Sequence, residues 1–225
     1  MFQPKVLFED EHLLAIEKPA GMLTVASNPS KRDLLSFVRA AFTKENSRIR
    51  PINRLDRESS GIVLYAKTKE CYEEAVEKKK LGHAEKTYLA LIEDRMKFKN
   101  GKITTPLPAR RDGKAKLPAV TSYHTIKEIN FGHGLRATLI EAKIRTGRFH
   151  QIRRHFAHIG HPLIVDFDYQ DRETFRRYRS ATGMRHFLLH CGKMNFPHFV
   201  TGKPLKIICP PPEDFKSRTN PRPRS

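Results

Sequence analysis

The sequence has 225 residues, which suits one sizeable domain or two closely joined lobes. Hydrophobic residues make up 38% of it, enough for a core, and no apolar run approaches the roughly 20 residues that a membrane helix needs. The N-terminus lacks the pattern of a signal peptide, and the three cysteines are widely spaced and odd in number. We therefore expect a cytoplasmic protein with neither a membrane span nor a disulfide framework.

Basic residues greatly outnumber acidic ones: 43 Lys and Arg stand against 24 Asp and Glu, a formal net charge of +19. Such an excess favours a polyanionic partner, and nucleic acid is the first candidate. Generic solubility rarely requires so one-sided a balance. Charge alone does not separate RNA from DNA, or an enzyme from a passive binder.

The first elements of the chain are short. Two apolar runs, Lys5–Phe8 and His12–Glu17, predict a β-hairpin. Lys18-Pro19-Ala20-Gly21 should end the second strand, because Pro and Gly interrupt a ladder. Helical spacing of apolar residues predicts a helix over Asp33–Phe42, with Asp33 able to cap its start.

The segment Ile52–Tyr65 places one carboxylate, Asp56, between Arg54 and Arg57, and continues through a Ser-Ser-Gly turn into an apolar strand. Opposite charges nearby keep a carboxylate ionised, and an ionised, positioned carboxylate can act as a nucleophile or a base. The alternative is an ordinary turn in which Asp56 merely pairs with an arginine, since ion pairs often form without a catalytic role.

The middle of the chain alternates between helix, strand and loop. Lys69–Leu81 predicts a helix ended by Gly82, and Lys86–Ile92 predicts a strand that carries Tyr88. Aromatic residues are common in strands, so Tyr88 does not by itself indicate a functional role. Asn100–Pro118 is expected to be an exposed basic loop suited to phosphate contacts. Two further strands, Ala119–Tyr123 and Leu135–Ile144, should flank a turn at Phe131–Gly134.

The stretch His150–Ile159 has a helical pattern, with Ile152, Phe156 and Ile159 on one face. Arg153 lies about 100° round from Ile152, at the edge of that face, and could reach into an adjoining cleft. Four histidines lie in or beside this helix, but their spacing fits no zinc pattern and no acidic or cysteine ligand accompanies them. We therefore predict no metal. The histidines are His150, His155, His158 and His161.

The last part of the chain is again basic. Asp168–Met184 is rich in arginine and suits an RNA-facing insertion. Phe187–His190 and Leu205–Ile208 are predicted as closing strands. Lys216–Ser225 combines Pro and Arg without apolar residues, which predicts a disordered tail.

Three motifs resemble those of the RluA-type pseudouridine synthases. Asn53–Gly61 resembles the family signature His-Arg-Leu-Asp-x-x-Thr-Ser-Gly, with Asn53 and Ser59 in place of His and Thr. Thr146–Pro162 closely resembles Thr-Gly-Arg-x-His-Gln-Ile-Arg-x-His-x-x-x-x-Gly-His-Pro. Lys18-Pro19-Ala20-Gly21 matches a third element near the N-terminus of the family.

The resemblance implies an α+β fold: a long, mixed, mostly antiparallel sheet in two lobes flanked by helices, with the active cleft between the lobes. It implies a catalytic domain over residues 1–215, without the small N-terminal RNA-binding domain of many relatives, followed by the tail of residues 216–225. We expect a monomer that acts on RNA, with tRNA favoured and rRNA possible.

The implied reaction isomerises a uridine in RNA to pseudouridine, without cofactor or metal. Asp56 would attack the sugar or the base, or abstract a sugar proton, and Arg153 would hold and ionise Asp56. Tyr88, in the position of the family's Lys-x-Tyr strand, would stack on the base. Arg54 would fill the gap left by the flipped uridine, because the bond exchange cannot occur while the base stays stacked.

The remaining candidate residues are expected to contact the RNA. They are Arg57, Lys86, Arg148, His150, Gln151 and Arg154, together with Arg54. Two alternatives come from other functional classes: a non-catalytic RNA-binding or chaperone protein on the same fold, and an RNA nuclease or base hydrolase.

Overall fold

The computed structural model describes residues 3–27, 33–42, 48–108 and 115–219. The protein is α+β, with a large, mostly antiparallel sheet, which confirms the predicted fold class. The chain divides into two compact units. The first comprises Met1–Lys86 and Cys191–Pro210, and the second comprises Thr87–His190 and Pro211–Ser225.

The strands and helices are numbered in chain order. The strands are β1 (Lys5–Glu9), β2 (Leu13–Lys18), β3 (Arg50–Pro51), β4 (Ser60–Ala66), β5 (Glu85–Glu93), β6 (Asn100–Ile103), β7 (Leu107–Pro108), β8 (Lys116–Leu117), β9 (Thr121–Gly132), β10 (Leu135–Ile144), β11 (Leu189–Pro197) and β12 (Pro204–Ile208). The α-helices are α1 (Leu34–Ala41), α2 (Lys69–Tyr72), α3 (Gln151–His158), α4 (Arg172–Thr182) and α5 (Glu213–Thr219).

The first unit is built around β2 and β4, whose residues are almost all buried. β1 pairs antiparallel with β2, so the predicted hairpin is confirmed, and β2 pairs antiparallel with β4. β11 lies on the far side of β4 and carries β12. Helix α1 packs Leu34 and Val38 against Val63 and Tyr65 of β4 in one apolar cluster.

The cap of α1 was also predicted correctly. The Asp33 carboxylate accepts a hydrogen bond from the Ser36 backbone N–H at 2.7 Å, and the Ser36 hydroxyl oxygen accepts one from the Asp33 N–H at 3.1 Å. This reciprocal pair satisfies two donors that an uncapped helix start would leave without partners.

The predicted helix over Lys69–Leu81 is not continuous. Helix α2 contains one turn and continues as a π-helical turn over Glu73–Glu77. Lys79 then adopts a left-handed conformation with φ 58°, and a 3₁₀ turn over Lys80–His83 follows. Gly82 lies inside that last turn, so the prediction that it ends the helix is wrong.

The second unit contains the strand order β5-β10-β9-β6 and the short pair β7-β8. β9 and β10 form a long antiparallel hairpin, and the turn between them is shorter than predicted because Phe131 and Gly132 remain in β9. A core cluster packs Leu139 of β10 against Tyr178 of α4 and Phe215 of α5.

Three basic segments contain helices or strands that were not predicted for them. The predicted loop Asn100–Pro118 contains β6, β7 and β8, while its residues 109–114 lie outside the described residues. In Asp168–Met184, the buried Tyr178 fixes α4 by donating its hydroxyl to the Arg136 carbonyl. Helix α5 includes Lys216–Thr219, part of the predicted tail, because buried Phe215 anchors it. Residues 220–225 lie outside the described residues.

The structure also bears on the cysteines and on the question of a membrane span. Cys71, Cys191 and Cys209 are all buried thiols. Within the described part of the chain, none of the helices combines the length and the apolar character that crossing a membrane would require.

Gly61, the single glycine of β4, provides a test of this packing. Its φ is +113°, and an added Cβ would lie 2.3 Å from the Cys191 carbonyl oxygen of β11. Gly61→Ala should therefore lower the free energy of unfolding by about 3 kcal/mol or more, from combined strain and overpacking. Chemical denaturation measures this loss.

The matched control is Gly202→Ala, in the same unit. Gly202 has φ +70° but nothing within 4 Å of an added Cβ. Its loss should be about 1–2 kcal/mol, the cost of a left-handed L-residue alone. Equal losses in the two variants would contradict the steric role of Gly61.

Candidate active site

Asp56 lies in the segment that connects β3 to β4 in the first unit. Its backbone carbonyl accepts a hydrogen bond from the Ser59 N–H at 3.1 Å, which closes a turn directly before β4. The Asp56 side chain is half-buried, whereas Arg54 and Arg57 are exposed. The turn thus holds one carboxylate at a strand edge and leaves both neighbouring arginines in solvent.

Two buried or half-buried polar side chains fix this segment from either side. The Thr24 hydroxyl donates to the Leu55 carbonyl and accepts from the Leu55 N–H, both at 3.2 Å. The Asn53 amide accepts from the Leu64 N–H at 2.7 Å and donates to the Ile62 carbonyl at 3.3 Å. Asn53, one of the two departures from the family signature, therefore ties the segment to β4.

Lys18 joins the Lys18-Pro19-Ala20-Gly21 motif to the Asp56 segment. Its side chain is fully buried, and its ammonium donates to the carbonyls of Pro19 at 2.9 Å, Met22 at 2.6 Å and Arg57 at 2.9 Å. The same Arg57 carbonyl accepts from the Gly21 N–H at 2.9 Å, and the Arg57 guanidinium donates back to the Gly21 carbonyl at 3.1 Å.

Burial lowers the pKa of Lys18 to about 8, although the negative charges of Glu58 and Asp56 oppose this shift. All three ammonium protons have carbonyl partners, which is how a buried cation is kept tolerable. Lys18 was predicted only as part of a strand-breaking turn, so this buried role is a new finding. The feature of the sequence that could have indicated a buried lysine is its position at the end of an apolar strand.

Arg153, on α3 in the second unit, is only 4% exposed. Its Nε donates to Asp166 Oδ2 and one terminal nitrogen to Asp166 Oδ1, both at 2.7 Å, in a bidentate pair with a fully buried carboxylate. The same terminal nitrogen lies 2.6 Å from Asp168 Oδ2. The guanidinium carbon also lies 4.4 Å from the ring centroid of Phe187 and 4.9 Å from that of Tyr169.

The predicted partner of Arg153 was Asp56, which belongs to the other unit. That pairing stays a prediction. Asp166, which was not predicted as a site residue, fixes the orientation of the guanidinium from within the second unit. The feature of the sequence that could have indicated Asp166 is its position directly after the apolar run Leu163–Val165.

Two residues predicted to contact RNA lie in the interior. Lys86 is 4% exposed, and its ammonium donates to the Ala84 carbonyl at 3.0 Å; burial lowers its pKa to about 8. Gln151 is 3% exposed; its amide donates to the Val120 carbonyl at 3.0 Å and accepts from the Thr146 hydroxyl at 2.8 Å. These contacts give Lys86 and Gln151 structural partners inside the fold, and their contact with RNA stays a prediction.

The remaining predicted site residues of the second unit differ in exposure. Tyr88 lies on β5 in the second unit and is 7% exposed. Arg148, His150 and Arg154 are half-buried. His150 stacks on Phe149 with ring centroids 3.7 Å apart, and the Arg154 guanidinium carbon lies 5.9 Å from the Phe149 centroid.

The four histidines have separate surroundings. His155 is buried between the Thr121 hydroxyl at 2.8 Å and the Thr105 carbonyl at 2.9 Å, and burial lowers its pKa. His161 contacts the Glu93 carbonyl at 3.0 Å, and His158 is exposed. Among the described residues, no group of three or more His, Cys, Asp or Glu side chains is placed to hold a metal ion.

The pKa of Lys18 predicts a pH effect on stability. In the unfolded chain the pKa takes its ordinary value of 10.5, so between about pH 8 and 10.5 the unfolded state binds more protons. The free energy of unfolding contributed by Lys18 therefore rises with pH across this window. Lys18→Met removes this rise, and its deficit relative to wild type should be larger at about pH 9.5 than at about pH 7 by about 2 kcal/mol. Denaturation at both values measures it, and a deficit independent of pH would contradict the buried ammonium.

The sequence is similar to those of known proteins. A family model described as RNA pseudouridylate synthase matches residues 12–158. The tRNA pseudouridine synthase C of Haemophilus ducreyi is 33% identical over 216 residues, covering 90% of this chain and 88% of the relative. The ribosomal large subunit pseudouridine synthase C of Yersinia pestis is 32% identical over 212 residues, covering 91% and 65%.

The fold has a close counterpart among solved structures. Human RNA Pseudouridylate Synthase Domain Containing 1 matches with a TM-score of 0.75 and 19% identity, over 93% of this chain and 84% of that one. Neither alternative, a non-catalytic RNA binder or a nuclease, is supported by these matches. The chain therefore belongs to the RNA pseudouridylate synthase family and is an enzyme that isomerises uridine to pseudouridine in RNA.

Proposed function

We propose that this enzyme modifies a uridine of transfer RNA, as a monomer in the cytoplasm, with Asp56 as the carboxylate that starts the reaction. Relatives named for tRNA, such as that of Haemophilus ducreyi, support the target. A ribosomal target is the second candidate, because a relative named for the ribosomal large subunit is nearly as similar. The net charge of +19 supports binding to either polyanion.

The observation that carries the proposal is the way in which the Asp56 segment is held. Lys18, Thr24 and Asn53 each hydrogen-bond backbone atoms at or next to this segment, so the backbone that carries Asp56 is fixed before any RNA binds. A carboxylate that must meet a sugar or base in one geometry gains from such preorganisation. An ordinary surface turn has no need of a buried ammonium beneath it.

Arg153 and Tyr88 also have roles in this proposal. Arg153 grips the Asp56 carboxylate, orients it and keeps it ionised, which a planar guanidinium does well. Tyr88 stacks on the target base. The reaction breaks one bond to the base and forms another without a change in oxidation state, so these side chains suffice and no cofactor is invoked.

The identity of the target is tested by conversion. Unmodified transcripts of tRNA and of large-subunit ribosomal RNA are incubated with the purified chain, and pseudouridine is mapped by chemical labelling and primer extension. Conversion of a tRNA uridine supports the proposal. If only the ribosomal RNA is converted, the target is ribosomal RNA and the proposed tRNA target is wrong.

Asp56→Asn should abolish pseudouridine formation while it leaves RNA affinity nearly unchanged. The amide is isosteric with the carboxylate but cannot act as an anionic nucleophile or base. Glu58→Gln is the matched control, because Glu58 is a half-buried carboxylate two residues along the same segment. Single-turnover rates and filter-binding affinities are measured for both. An Asn variant that retains even a few per cent of the wild-type rate would show that Asp56 is not the catalyst.

Arg54 is the second variant to test, because it is exposed two residues before Asp56. Flipping a uridine costs a few kcal/mol of stacking and pairing, and an inserted guanidinium recovers part of that by stacking on neighbouring bases. Arg54→Ala should therefore slow modification of a structured RNA far more than that of a short unstructured RNA with the same uridine. Single-turnover rates on both RNAs provide the comparison. Equal slowing on the two RNAs would indicate that Arg54 contacts a phosphate and does not fill the gap left by the flipped uridine.

A further inference from the structure

The segment Val165–Gln170 holds two carboxylates on Arg153 and exposes the aromatic ring between them. The carboxylates of Asp166 and Asp168 both contact the Arg153 guanidinium, at 2.7 and 2.6 Å. Phe167, between them, is 70% exposed, the highest value for any large hydrophobic side chain among the described residues. Burying a phenyl ring is normally favourable, so a ring at 70% exposure leaves a large apolar face free to stack on a ligand.

The backbone around Phe167 is fixed in an uncommon conformation. Val165 has φ +60°, which is rare for a β-branched residue and occurs where the surroundings impose it. Its N–H donates to the Gln170 side-chain oxygen at 2.9 Å, and the Gln170 amide donates to Glu93 at 2.9 Å. The exposed ring therefore stands on a rigid support, which is what a stacking platform requires.

Helix α4 continues this surface with positive charge. Phe175 on α4 contacts Phe167 edge to face, with centroids 5.8 Å apart and planes at 79°. Arg172, Arg176 and Arg179 are exposed and share one face of α4, at i, i+4 and i+7. None of these three guanidinium groups forms a hydrogen bond or an ion pair with another residue in the described ranges. They are thus available to phosphates.

We propose that Phe167 and these three arginines form an RNA-binding surface, on which an unpaired base stacks against Phe167 while the arginines contact the phosphates of adjoining nucleotides. Sequence-tolerant binding of single strands commonly combines an aromatic face with cations along the backbone. This inference rests on RNA as the substrate, and not on tRNA in particular. It assigns to Phe167 a role in binding only.

The protein contains no tryptophan, so Phe167→Trp introduces a single fluorophore at the proposed site. An indole stacked on a base should lose fluorescence as RNA binds. Phe98→Trp is the matched control, because Phe98 is 61% exposed in the same unit. The probes are unmodified tRNA and large-subunit ribosomal RNA transcripts, and the transcript that binds more tightly is used in the titration whether or not it is converted.

Quenching of the Phe167→Trp signal, in step with binding and absent from Phe98→Trp, supports the surface. Inorganic polyphosphate, which has charge but no bases, should leave the signal unchanged. An unquenched Phe167→Trp at saturating RNA, or equal quenching in both variants, would overturn the proposal. A wild-type chain that converts neither transcript would instead count against the proposed function.

Two affinity measurements test the same surface without fluorescence. Phe167→Ala should weaken RNA binding about 5- to 150-fold, whereas Phe167→Tyr, which keeps the ring, should bind like wild type. Arg172→Ala with Arg176→Ala should reduce the slope of log affinity against log salt by roughly 1.4, from two lost phosphate contacts. Arg95→Ala is the control, since Arg95 is already paired with Glu128 at 2.7 Å. Unchanged affinity in Phe167→Ala, or equal slopes in the arginine variants, would reject the assignment.

Discussion

The buried ammonium of Lys18 is the interaction on which the first unit depends. It donates to three carbonyls, one of them on Arg57, and so binds the end of the N-terminal hairpin to the segment that carries Asp56. A backbone with unpaired buried carbonyls would be costly, and a solvated lysine would fix nothing. Two motifs that lie some forty residues apart in the sequence therefore act as one structural element.

The second unit solves a similar problem with a different cation. Arg153 is held by a bidentate pair with Asp166 and by two aromatic faces, so its orientation as well as its charge is fixed. The compact ammonium of Lys18 can donate to three converging carbonyls, whereas the planar guanidinium of Arg153 can donate two parallel hydrogen bonds to a carboxylate. Each motif thus uses the cation whose geometry matches its partners.

The sequence predicted local elements well and side-chain direction poorly. The hairpin, α1 and α3 follow from apolar periodicity and caps, which are local signals. The break at Lys79 depends on one left-handed residue that no periodicity reveals. Lys86 and Gln151 are predicted to contact RNA because of their type and place in a motif, but both side chains are buried and donate to backbone carbonyls, of Ala84 and Val120, inside the fold. A motif specifies which residues are needed, and only the fold decides which way each of them faces.

This distinction changes the meaning of the net charge. Lys18, Lys86 and Arg153 contribute to the +19, yet their charges are already matched by carbonyls or carboxylates inside the fold. Only cations in solvent can displace counterions from phosphates, so the count of basic residues overstates the charge that RNA encounters. Arg54 and the arginine face of α4 are exposed and so are available for that function. The same excess of basic residues thus serves two ends, with burial separating the cations that shape the site from those that can reach RNA.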